Sequence, residues 1–187
     1  MLIECVYKWL KGVGLMIILG LDQSSNSTGY SVYKDGELIK YGLFNETKKI
    51  DKKHNGNTYY QEKIKRIKEF MKGLIDTYKV DIVTIEDIQS QKSPDTFKKL
   101  AWLQSALIQY LYEQKIKYAI LKPSEWRNAL KIKGKTRKRE DVKKATIEYV
   151  KKEFDIDCTD KDDISDAICI GYASVKLLDK NKLTLYT

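Results

Sequence analysis

The chain is poor in the residues that small secreted or zinc-dependent proteins rely on. It has three cysteines, one histidine and two prolines in 187 residues. Cys5, Cys158 and Cys169 are far apart and form no CxxC pair, so neither a disulfide framework nor a zinc ribbon is indicated. An odd number of dispersed cysteines fits a reducing cytoplasm. The single histidine, His54, lies among Lys52, Lys53, Asn55 and Gly56 and reads as a solvated loop residue. With one histidine, Ser-His-Asp catalysis and His-based zinc sites are both excluded as working assumptions. No apolar run reaches the roughly 18 residues a membrane-spanning helix needs. Residues 1–15 lack the basic start, long apolar stretch and small-residue cleavage site of a signal peptide, and read as an N-terminal extension, with Met16 as a second start.

What the chain does have is positive charge on a globular background. Lys and Arg number 35 against 26 Asp and Glu, a formal charge of +9, and 42% of residues are hydrophobic. That is too apolar for a disordered chain and long enough for one domain with a real core, expected over residues 16–187. A basic globular domain points to a polyanionic partner, nucleic acid before membrane.

The hydrophobic pattern predicts strands at 17–22, 29–34, 37–44, 80–86 and 118–121. Asp35-Gly36 joins the second and third as a hairpin. Helices are predicted over 60–78, 93–113, 124–130, 139–154 and 162–178. A three-strand meander followed by βαβ units gives an α/β fold, a mixed five-stranded sheet with helices on both faces. Right-handed crossovers place the first strand beside the fourth.

The chemistry follows from acidic residues in apolar surroundings. Asp22 and Glu86 each end a buried-type strand, and parallel neighbours would bring both to one rim of the sheet. Asp163 and Asp166 share a face at the entrance of a helix that continues AICIGYASV, apolar nearly all round. Asp at a helix start is ordinarily a cap, which accounts for Asp160, or for one of Asp162 and Asp163, more readily than for Asp166. Four acidic groups without histidine or thiolate match a hard cation, Mg²⁺ or Mn²⁺, rather than zinc. Paired ions of that kind serve phosphodiester displacement. The segment from Lys131 to Arg139 is a basic loop hinged at Gly134.

These residues carry a resemblance. Leu19-Gly20-Leu21-Asp22 with Thr28-Gly29-Tyr30, then Ile85-Glu86 with Ser93-Pro94-Asp95-Thr96, then Asp163-Ile164-Ser165-Asp166-Ala167 are similar to the three motifs of RuvC-type Holliday junction resolvases, in family order. The resemblance spans about residues 16–178. It implies a ribonuclease H-like fold, a homodimer, and Mg²⁺-dependent symmetric nicking of four-way DNA junctions. It implies catalytic and metal-binding roles for Asp22, Glu86, Asp163 and Asp166, and DNA contacts from Arg127, Lys131, Lys133, Lys135 and Lys138. Gln23-Ser24 replaces the bacterial Pro-Gly, and Ile88-Gln89 stands where familiar members carry a wedging aromatic residue. The chain therefore resembles a phage-type or divergent member acting on branched DNA more broadly. Tyr59, Tyr60 and Trp126 are aromatic candidates for stacking on bases, with core packing favoured for Trp126. Two other readings use the same residues: a nucleic-acid-binding module without activity, and a ribonuclease of the same fold.

Overall fold

A computed structural model of the chain describes residues 15–45, 50, 56–89, 93–136, 138–159 and 161–187. Cys5, His54 and the extension up to residue 14 lie outside the described residues. The strands are β1 (Ile17–Asp22), β2 (Thr28–Lys34), β3 (Glu37–Phe44), β4 (Ile82–Glu86) and β5 (Lys117–Leu121). The helices are α1 (Gly56–Tyr78), α2 (Pro94–Glu113), α3 (Pro123–Ala129), α4 (Arg139–Phe154) and α5 (Asp162–Asp179).

The five strands form one sheet in the order β3-β2-β1-β4-β5. β1 runs antiparallel to β2 and parallel to β4, with Leu21 opposite Ile85. The first strand thus lies beside the fourth, as the crossover rule requires. At the hairpin, Asp35 and Gly36 have φ of 53° and 89°, the positive pair that a two-residue turn of matching twist demands. At the β5 edge, Tyr118 and Tyr186 exchange backbone hydrogen bonds of 3.0 and 2.8 Å, so the C-terminal segment covers that edge.

Alternation along β1 and β4 divides the interior into two layers. Leu19, Leu21, Val83 and Ile85 pack with Ile64, Ile67 and Met71 of α1 and Leu103, Leu107 and Leu111 of α2. Ile18 and Ile82 belong to the opposite layer, with Tyr33 and Val175 of α5. Asp22 and Glu86 share the parity of Ile18 and Ile82. Both therefore emerge on the α5 side, at the C-terminal ends of adjacent parallel strands.

Helix α5 crosses this face almost in contact with the backbone of the sheet. A Cβ on Gly20 would fall 2.6 Å from the Gly171 nitrogen. Buried hydroxyls pin the crossing: Ser31 Oγ donates to the Ala167 carbonyl at 2.7 Å and Tyr33 Oη to that of Ile168 at 2.9 Å. Ser174 Oγ meets Thr84 Oγ1 at 2.7 Å. Such contacts satisfy polar groups that would be costly to bury alone, and they fix the helix in rotation and height.

Two boundaries differ from the sequence reading by more than one residue. α1 begins at Gly56, four residues earlier than residue 60. Its first turn is polar and carries no apolar period to announce it. β4 begins at Ile82, because Val80 and Asp81 are spent on the turn out of α1, with Lys79 at φ 58°. Among the described residues, no helix is long and apolar enough to cross a membrane.

Candidate active site

The site starts from the ends of β1 and β4. Glu86 is held through its backbone: its carbonyl accepts the side-chain amides of Gln23 and Gln104, both at 3.2 Å. The next amide, Asp87 N–H, donates to the Leu121 carbonyl of β5 at 2.9 Å. The turn after Asp22 is held as well. Thr28 Oγ1 donates to the Ser24 carbonyl at 2.8 Å, and the buried Lys63 ammonium donates to Asn26 Oδ1 at 2.7 Å.

Gly29 explains the Thr-Gly pair that follows Asp22. A Cβ there would lie 2.0 Å from the Asp163 carbonyl oxygen. Only a glycine lets the first turn of α5 come down on β2 and bring Asp163 and Asp166 to the rim. All four carboxylate residues are half-buried there.

Their electrostatics show that they share one environment. Burial first, then Glu86, Asp166 and Asp163, push the Asp22 carboxyl well above the ordinary range, against the pull of Lys143. Burial, reinforced by Glu86 and Asp163, raises Asp166 to about 7, with Arg127 and Lys143 opposing. Burial raises Glu86 too, offset by a hydrogen bond from Trp126 and by the Arg127 charge. The structure thus brings together the four acidic residues singled out from the sequence.

As they stand, no three His, Cys, Asp or Glu side chains among the described residues are gathered so as to hold a metal ion. Glu86 Oε1 is turned to the indole of Trp126, accepting its N–H at 2.8 Å. In kind, the donor set fits a hard divalent cation: oxygen donors only, with Asp22 and Asp166 disfavoured as anions by burial and by their acidic neighbours, the imbalance such an ion offsets.

The basic residues divide. Lys131, Lys133, Lys135 and Lys138 are exposed on the loop between α3 and α4. Arg127 is not with them. It is half-buried on α3, its guanidinium 4.2 Å from the Trp126 ring centre and its charge acting on Glu86 and Asp166. Lys143 of α4 was not singled out from the sequence. It forms an ion pair with Asp162 and acts on Asp22 and Asp166. Asp162 is therefore not the cap of α5: Lys161 occupies that position and no side chain caps it. A lysine four residues into a helix offers no sequence signal, since its partner comes from another helix.

Trp126 is fully buried, as expected, but its N–H is committed to Glu86. Tyr60 is also buried, and its hydroxyl donates to the Lys99 carbonyl at 2.6 Å, so it presents no face for stacking on a base. Tyr59 is half-buried under the Lys63 ammonium at 4.8 Å. A cleft of about 790 Å³ lies elsewhere, against β3 between Leu38, Tyr41, Phe154 and Tyr172.

An acidic rim at the ends of β1 and β4, closed by a helix that brings two more carboxylates, thus lies on a mixed five-stranded sheet with helices on both faces, the ribonuclease H-like fold. The chain matches the family model described as crossover junction endodeoxyribonuclease RuvC over residues 18–173, and it belongs to that family. It is 31% identical over 176 residues to the Helicobacter acinonychis crossover junction endodeoxyribonuclease RuvC, covering 91% of this chain and 100% of the relative. The corresponding protein of Aliarcobacter butzleri is 27% identical over 168 residues, covering 87% and 100%. Among solved structures, Thermus thermophilus RuvC in complex with a Holliday junction substrate superimposes with a TM-score of 0.70 at 12% identity, covering 91% of this chain and all of that one. The yeast mitochondrial Holliday junction resolvase gives 0.59 at 17% identity, covering 88% and 80%. At those identities the likeness establishes the fold.

Proposed function

We propose that this protein is a divalent-cation-dependent endonuclease that resolves four-way and related branched DNA junctions by symmetric phosphodiester hydrolysis. The observation that carries the proposal is the convergence of Asp22, Glu86, Asp163 and Asp166 on one rim, where Glu86, Asp166 and Asp163 raise the Asp22 carboxyl and Glu86 and Asp163 raise that of Asp166. Mg²⁺ or Mn²⁺ is the cation this oxygen set suits, and two ions per site match its four carboxylates. With the cation in place, the chemistry supplied is Lewis-acid polarisation of the scissile phosphate and activation of a water.

The chain's own residues do the rest. The four carboxylates hold the cation. Arg127 and Lys143 sit beside them as fixed positive charge and limit the repulsion that an incoming phosphate meets. Exposed Lys131, Lys133, Lys135 and Lys138 bind backbone phosphates of the arms, which gives affinity without sequence preference. A two-fold junction calls for two such sites. Exposed Phe97 and Tyr112 lie along one side of α2 with half-buried Ala101 and Ile108, and this apolar stripe supports a homodimer. The nuclease domain spans residues 16–187, with 1–15 as an extension, and the working compartment is the cytoplasm.

The test is a panel of labelled four-way junction, linear duplex, flap and RNA–DNA hybrid, each with Mg²⁺ or with EDTA. Cation-dependent paired nicks on the junction, with little cleavage of duplex or hybrid, are expected. Preferential cleavage of the hybrid would favour a ribonuclease, and junction binding without cleavage in any cation would favour an inactive binding module.

A further inference from the structure

We propose that Trp126 is a positioning residue for Glu86, whose indole N–H selects which carboxylate oxygen is presented to the cation and the substrate phosphate. The inference rests on the proposed function and adds a residue to it. Nε1 lies 2.8 Å from Glu86 Oε1, and the ring is fully buried.

The device is rigid from both sides. On the strand side, the Glu86 carbonyl is held by Gln23 and Gln104, and the next amide is tied to Leu121, the last residue of β5. On the helix side, α3 starts two residues after Leu121. Pro123 opens it, and Glu125 Oε2 accepts the Lys122 backbone N–H at 2.8 Å, which fixes the helix start. Trp126 therefore arrives at Glu86 from a helix registered to the neighbouring strand. Above the ring, the Arg127 guanidinium at 4.2 Å closes the stack.

The chemistry favours a tryptophan for this task. A glutamate has three rotatable bonds, and here the Asp22 and Asp166 carboxylates repel it. A neutral donor on one oxygen holds the rotamer and leaves the second oxygen free. The indole N–H is a donor only, so it cannot compete for the cation. Groups of this kind, which orient a ligand without touching the metal, typically contribute about 10- to 100-fold in metal affinity or activity. The plain alternative is a core tryptophan whose N–H took the nearest acceptor. The two differ in what happens when the ring is kept and the N–H removed.

The experiment compares wild type, Trp126→Phe, Glu86→Gln and the double variant. Mn²⁺ binding is measured by calorimetry without DNA, and junction nicking is measured against Mg²⁺ concentration. Trp126→Phe is expected to weaken Mn²⁺ binding about 10-fold or more, to raise the Mg²⁺ needed for half-maximal nicking in parallel, and to leave junction binding in EDTA unchanged. In the Glu86→Gln background the same change should have little further effect on Mn²⁺ binding. A loss below about threefold, or an equal loss in both backgrounds, overturns the positioning role. If Trp126→Phe fails to fold, the Trp126 indole N–H resonance of the wild-type protein, assigned with Trp9→Phe and Trp102→Phe, decides: it must shift when Mg²⁺ is added, and an unmoved resonance overturns the proposal. A wild-type protein that neither binds Mn²⁺ nor nicks the junction overturns the nuclease reading itself, a result distinct from a functioning wild type matched by Trp126→Phe.

Discussion

Removing one acidic charge from the rim should make the metal-free protein more stable. Asp166 is the place to test this, because burial, reinforced by Glu86 and Asp163, lifts its carboxyl from 3.8 to about 7. The native state then holds a proton that the unfolded chain has lost, across pH of about 4 to 7. Stability therefore falls as pH rises through that window and stays lower above it. A carboxyl displaced that far disfavours the ionised native state by at most about 4 kcal/mol above pH 7. Asp166→Asn keeps the shape and cannot ionise, so it escapes the loss. Even a quarter of that limit raises Tm by about 2–4 °C in a domain of this size. Thermal unfolding in EDTA at several pH values between 5 and 8 is the assay. The gap between Asp166→Asn and wild type should widen with pH, and saturating Mg²⁺ should narrow it by stabilising wild type more than the variant. A wild-type Tm that does not fall with pH, with Asp166→Asn no more stable at pH 8, would refute the reasoning.

Asp163→Asn should cut nicking by orders of magnitude with little change in Tm, whereas Asp162→Ala should keep most activity. The Asp162–Lys143 pair is about a third exposed on both sides, so its loss should cost less than about 1 kcal/mol in thermal unfolding. Gly29→Ala should destabilise by about 1–3 kcal/mol and depress nicking, since its methyl would collide with the Asp163 backbone; an unaltered Tm would contradict the close packing of α5 on β2. Junction affinity should fall steeply with salt, by about 0.9 log units per log unit for each phosphate neutralised, and replacing Lys133 and Lys135 together with Gln should flatten that slope.

The parts of the fold that were legible are those where hydrophobic pattern and turn chemistry agree. β1 and β4 are apolar runs that stop at an acid, and α5 is apolar on nearly every side after Asp166. Asp22, Glu86, Asp163 and Asp166 stood out for that reason. Lys143, Asp162 and the Trp126 N–H were not legible, because each acts on a residue from a different element, and pattern along the chain does not report pairing across it. The resemblance groups Arg127 with the lysines of the basic loop, and its place beside the carboxylates was not legible from that. The α3 helix instead turns it over Trp126 and toward the carboxylates. The start of α1 was missed because a solvated helical turn and a polar loop have the same composition.

The central claim is that the carboxylate rim cuts branched DNA and is not needed to bind it. The most direct measurement maps nicks at single-nucleotide resolution on a four-way junction with Mg²⁺, for wild type, Asp22→Asn and Glu86→Gln, alongside junction binding in EDTA. The expected result is a pair of symmetry-related nicks by wild type, none by either variant, and nearly equal binding by all three. Nicking by either variant at a rate close to wild type would contradict the claim.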